Sequence, residues 1–228
     1  MSTRTIDDVL DRLQVIGTSV PAGDGVGSFN AVYALTTQAV RDRIGTGFFD
    51  DDLFVERLDV VFADRYLATV DAATSGRPVD SAWRPLFDDR ADHRIHAVQF
   101  AVAGMNAHIN HDLAIAVVDA CAAAHTHPTA GSIPTDYDRI NVILEEIEAR
   151  ARASMLDDLE RELGRPLEPL VHMVGNWSMA RARDAAWVRA QILWELRGLP
   201  RLYRRSLEVS STATGMTGRH LLTPLLPV

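Results

Sequence analysis

One stretch constrains this chain more than any other. From Val98 to Ala124 nearly every residue is Ala, Val, Ile, Leu, Phe or Met, and the main interruption is one tight polar group: Asn106, His108, Asn110, His111 and Asp112. A helix that is apolar all round is a buried helix. The run is therefore predicted to form the centre of the fold and to carry polar side chains into the interior. A buried polar group without a partner costs roughly 1–3 kcal/mol, so such a cluster marks a place where a site needs it.

The rest of the chain reads as helices to wrap that centre. Ile6, Val9, Leu10 and Leu13 share one side of a first segment ending near Ile16. The glycine-rich stretch from Pro21 to Gly27 reads as a loop, with Ser28 capping a second helix that reaches Arg43. A third helix is expected over Asp51 to Ala73, because Asp50, Asp51 and Asp52 suit the positive end of a helix dipole. Arg77 to Asp92 reads as a connector with a short helix, and Pro128, Gly131 and Pro134 break the chain after the central run. Further helices are expected over Asp136 to Leu163 and Ser178 to Arg197. Period-two alternation is almost absent, so strands are not predicted. The expectation is one all-α domain over residues 1–228, a helical bundle around residues 98–124, with a helix and loop in 1–27 and a peripheral tail in 201–228.

Composition closes several functional routes. A net charge of −8 argues against a nucleic-acid partner, which needs a basic surface. The central run is no membrane span, since His108, His111, Asp112 and Asp119 are costly in lipid. The polar N-terminus lacks the apolar core of a signal peptide, which makes the cytoplasm the expected location. Cys121 is the single cysteine, so no intrachain disulfide or cysteine-rich zinc site is available. It sits among apolar neighbours and reads as inert packing. All 23 basic residues are arginine. Without a lysine amine there is no Schiff base, no covalent pyridoxal phosphate and no phosphate-binding loop lysine.

On an α-helix, His108, His111 and Asp112 fall at i, i+3 and i+4 and share a face. Two imidazoles and a carboxylate in that arrangement suit a divalent metal such as zinc, manganese or iron, with positions left for water or substrate. Asn106 and Asn110 point elsewhere and read as ties to neighbouring helices. Asp59 interrupts an apolar stripe of Val55, Phe62 and Tyr66, which makes it either a further metal ligand or the residue that orients a histidine. Arg65 lies near the same side and suits a carboxylate or an anionic substrate. Asn141, Arg183 and Asp184 are later intrusions expected to support the polar network, with Asn30 and Tyr33 contributing from the second helix.

Together these residues point to an enzyme acting on a small molecule by hydrolytic or lyase-type chemistry. His108 and His111 would be metal ligands or acid–base groups, and Arg65 or Arg183 would meet an anionic group. The alternative is a non-catalytic helical module that binds a ligand or partner protein, its buried network serving only to make the core unique.

The block Ala103 to Leu113 resembles a bacterial family known only as a conserved domain of unknown function. Phe29 to Tyr33, Leu58 to Tyr66, Gln99 to Ala101 and Ala182 to Trp187 resemble it too, so the likeness runs from about Phe29 to Trp194. It implies membership without a reaction, and it groups Asp59, Arg65, His108, Asn110, His111, Asp112 and Asp184 as one set. His111-Asp112 is also similar to the doublet of the all-α His-Asp metal phosphohydrolases, with His93 or His96 completing a metal site. The leucine-rich lead and following glycine of that class are missing here, so that likeness is analogy.

Overall fold

The structure, a computed structural model, describes residues 5–147 and 178–224, and among them every regular element is helical. Helix α1 (Ile6–Ser19) opens with a reciprocal cap between Thr5 and Asp8 and buries Ile6, Val9, Leu13 and Ile16. Helix α2 (Gly25–Arg41) starts four residues earlier than a cap at Ser28 would give. Asp24 is the cap: its carboxylate accepts from the Val26 amide at 2.8 Å and pairs with Arg90 at 2.7 Å. Gly25 belongs to the first turn because the Phe100 ring fills the space a Cβ would need, 2.4 Å away. Close approach, rather than a loop, is what this glycine serves.

Helix α3 (Asp52–Thr74) is capped by Asp51 and followed by the short α4 (Arg84–Asp89). The central run forms α5 (Ala97–Ala107), one π turn (His108–Asp112) and α6 (Leu113–Ala123) in direct succession. A helix over 133–147, α7, comes next; the expected continuation to Leu163 lies outside the described residues. Helix α8 (Met179–Leu196) is capped by Ser178.

Helix α9 (Pro200–Leu221) corrects the expected peripheral tail. It packs on α4, α5, α8 and the π turn, burying Ser210, Ser211, Thr214, Gly215 and Gly218. That face is small and polar, so no stripe of large apolar residues marks it.

The buried side chains form two clusters. One gathers Phe100, Ala103 and Ala107 of α5 with residues of α1, α2, α3 and α4. The other gathers Ile109 and the α6 residues Leu113–Cys121 with residues of α3, α7 and α8. The central run thus threads both cores, and its π turn falls where they meet. Among the described residues, no helix is long and apolar enough to cross a membrane.

Candidate active site

The π turn decides how the polar cluster is used. The Leu113 amide donates to the His108 carbonyl, the i→i+5 bond that defines such a turn. With more than four residues per turn, residue 112 comes over residue 108 while residue 111 swings away. Asp112 Oδ2 accordingly lies 3.1 Å from His108 Nδ1. The same oxygen accepts from Trp83 Nε1 at 2.9 Å, and Oδ1 lies 3.5 Å from Arg65 Nε. Within the same turn the Asn110 backbone carbonyl accepts from Arg189 Nη1 of α8.

His108 is 2 % exposed and held on several sides. Its ring stacks face to face on Phe62, with centroids 3.6 Å apart, and meets the Tyr33 ring at 84°. Burial lowers its pKa more than Asp112 raises it, so the imidazole is neutral at pH 7. Burial also works against the Asp112 carboxylate, yet the bond to His108 and the positive charge of Arg65 outweigh it and leave that pKa lowered. An ionised Asp112 accepts only, so it fixes the proton of His108 on Nδ1 and leaves Nε2 as a bare acceptor.

That Nε2 atom is buried and has no hydrogen-bond partner among the described residues. His108 lines a narrow cavity of about 60 Å³ at the seam of the two cores, together with Phe29, Tyr33, Asp59, Leu113 and Arg183. Asp59 contributes a second titratable group. The residue is partly exposed, but its Oδ2 is fully covered and also lacks a partner among the described residues. Burial and the nearby Glu56 push this carboxyl up to about 7, against the opposing pull of Arg183.

Residues 6–224, which include all the helices above, match the model of a family of unknown function, DUF5995. The chain belongs to that family. No curated protein and no solved structure matches it.

The other expected site residues of this DUF5995 chain divide into separate places. His111 faces α9 and the connector before α4: its Nδ1 lies 3.4 Å from Ser210 Oγ and its Nε2 lies 3.7 Å from Asp80 Oδ1. Burial lowers its pKa, with Asp112 and Asp80 opposing. The expected metal set of His108, His111, Asp112 and Asp59 is not gathered, and among the described residues no three His, Cys, Asp or Glu side chains are placed to hold a metal. The π turn is the reason, because it separates the two imidazoles that an α-helix would align. Asp59 does not orient His108 either; Asp112 does.

Arg65 sits outside the cavity, between Asp112 and Asp119 (3.4 Å), in an open cleft of about 450 Å³ that also holds Asp80, Trp83 and His111. Arg183 lines the cavity, but its Nε donates to Asn141 Oδ1 and its Nη2 to the Tyr137 carbonyl, both at 2.8 Å. Asp184 is exposed, a correction to its expected place in the network. Its neighbour Arg183 takes the inward position in step with Ala186 and Ala190, which leaves Asp184 a turn-edge away.

Asn106 ties the central run to a neighbouring helix, as expected, whereas the Asn110 side chain bonds within its own run. Asn106 Nδ2 donates to the Thr214 carbonyl of α9 at 3.0 Å, and Asn110 Nδ2 to Asn106 Oδ1 at 3.2 Å. Asn30 donates to the Leu13 carbonyl and accepts from Tyr66. Trp83, Arg189 and Ser210 escaped sequence reading: an aromatic in a proline-containing connector, a surface-looking arginine and a serine in a polar tail give no periodic signal.

Proposed function

We propose that this chain is an enzyme that performs general acid–base chemistry on a small molecule, hydrolytic or lyase-type, with His108 as the base. One observation carries the reading: His108 lines a cavity, and its Nε2 is buried and unpartnered among the described residues while Nδ1 is held by Asp112. A histidine kept only for packing would have both nitrogens satisfied. Here one nitrogen is committed and the other is left for something else.

In this arrangement Nε2 takes a proton from the bound molecule and the charge that forms on the ring is stabilised by the Asp112 carboxylate, which itself stays ionised. Asp59 supplies the acid. Its carboxyl, at about 7, is partly protonated at neutral pH and suits proton donation. Two carboxyls pushed in opposite directions, Asp112 down and Asp59 up, is the pattern of divided acid and base roles.

Long-range nitrogen spectra of ¹⁵N-histidine protein test the base directly: the expected result is His108 neutral at pH 7 with its proton on Nδ1. A proton on Nε2 refutes the assignment. In screens of small esters, amides and hydroxy compounds, turnover by the wild type should drop roughly 10²–10⁴-fold in a folded His108→Gln variant. Elemental analysis of the same preparations tests a metal-assisted version. Stoichiometric zinc, manganese or iron that is lost in His108→Gln moves His108 from base to ligand.

A further inference from the structure

His108 Nε2 is not the only unsatisfied atom at its cavity. Asp59 Oδ2 is also buried without a hydrogen-bond partner among the described residues, the Tyr33 hydroxyl has beside it only the Thr37 hydroxyl one turn on in α2, and His108, Asp59 and Tyr33 line the same space. They come from three separate elements: α2, α3 and the π turn. Unpaired polar atoms are rare in folded proteins. Two at one small cavity, with Tyr33 on the same wall, are accounted for together if something bound there completes them.

The rest of the wall describes the body of that molecule. Phe29, Val40, Leu58, Phe62, Ile109 and Leu113 offer it no hydrogen bond. A cavity of about 60 Å³ has room for roughly four or five heavy atoms, since a water needs about 10–15 Å³ on this scale. Its charge follows from the two arginines. Arg183 is committed to Asn141 and the Tyr137 carbonyl and lies 4.1 Å over the Tyr137 ring. Arg65 is outside, paired with Asp112 and Asp119. Among the described residues of the wall the one arginine, Arg183, is already paired with α7, and a protonated Asp59 carboxyl adds no positive charge to meet an anion.

We propose that the cavity binds a small neutral molecule with an apolar body and one polar end that both donates and accepts, as a primary amide or an alcohol does. The donor goes to His108 Nε2, and the acceptor receives the Tyr33 hydroxyl and the Asp59 carboxyl proton. This replaces the anionic substrate expected from the arginines. It rests on His108 being an acceptor at Nε2, as argued for the base.

The test uses full-length ¹⁵N-histidine, methyl-labelled protein with three probes: propionamide, its near-isosteric anion propionate, and xenon. Propionamide should shift the His108 Nε2 and Met105 methyl resonances with roughly millimolar affinity, and propionate should bind at least tenfold more weakly. Tyr33→Phe gives up only the Thr37 contact within the fold, so it should fold normally and weaken propionamide about tenfold. Propionate binding as well as propionamide overturns the neutral class. Xenon entering where propionamide does not shows a mere packing void and overturns the site. Propionamide binding beside a His108 whose Nε2 proves protonated upholds the cavity and sinks the base instead.

Discussion

Replacing Asp59 by asparagine keeps the side chain's shape and removes its charge, which makes it a direct probe of the buried carboxyl. In the folded protein burial and Glu56 raise the Asp59 pKa from 3.8 to about 7. The folded state therefore holds this proton over a range in which the unfolded chain has already released it. Stability must fall as pH rises from about 4 to about 7, and level off above. At 1.36 kcal/mol per pKa unit the full effect is roughly 4 kcal/mol. Asp59 keeps some exposure, and solvent screening reduces this to roughly 2–4 kcal/mol. The buried His108 and His111 have lowered pKa values and act in the opposite direction, costing stability as pH drops below their ordinary 6.5. Comparing variant with wild type cancels that background. Urea unfolding of both proteins between pH 4 and 8.5 should show no difference at pH 4 and an Asp59→Asn gain of roughly 2–4 kcal/mol at pH 8, or ~5–15 °C in Tm. An equal gain at both pH values, or a variant less stable at pH 8, refutes the reasoning.

Three further outcomes follow from individual contacts. A Cβ at Gly104 would lie 2.3 Å from the Phe29 ring, so Gly104→Ala should cost about 1–3 kcal/mol in urea unfolding as α5 is pushed off α2. Asp112→Asn leaves Arg65 without its buried partner and loosens the hold on Nδ1; roughly 1–3 kcal/mol of stability should go, and nitrogen spectra should show His108 shifting towards the Nε2-protonated form. Cys121 is 0 % exposed and its thiol is pushed up to about 11 by burial, so a disulfide reagent at pH 8 should label it only as fast as the protein opens.

How much of this was legible from the residues alone differs by kind of signal. The central run stood out because its apolar length exceeds that of any surface helix stripe, and the polar cluster within it marked the position of the site. The helix starts at Asp51 and Ser178 were read to within one residue, whereas the cap expected at Ser28 belongs to Asp24. What escaped was geometry that depends on distant contacts. Spacing at i, i+3 and i+4 assigns one face only when the turn has 3.6 residues, and nothing in His108–Asp112 announces the wider turn. The buried side of α9 is Ser210, Ser211, Thr214, Gly215 and Gly218, residue types that look like surface in a linear reading. Gly25 resembled loop punctuation because the Phe100 ring it accommodates is 75 positions away.

The π turn and α9 are best understood together. A wider turn in a buried helix releases a carbonyl, and an unpaired carbonyl in the interior would favour reversion to the regular α form. Arg189 supports the turn by donating to the Asn110 carbonyl within it, and it is itself braced at 2.9 Å by Ser210 of α9. Asn106, one turn before, ties the same helix to the Thr214 carbonyl. The alignment of His108 with Asp112 therefore depends on a helix about a hundred residues further along the chain. That dependence bears on the two readings of the buried cluster. A network kept only for a unique core could satisfy itself within a regular helix by pairing both imidazoles. This chain instead maintains an irregular turn, supports it from two other helices, and ends with one nitrogen of a cavity-lining imidazole buried without a partner among the described residues. The support is costly in sequence, and what it secures is the open nitrogen.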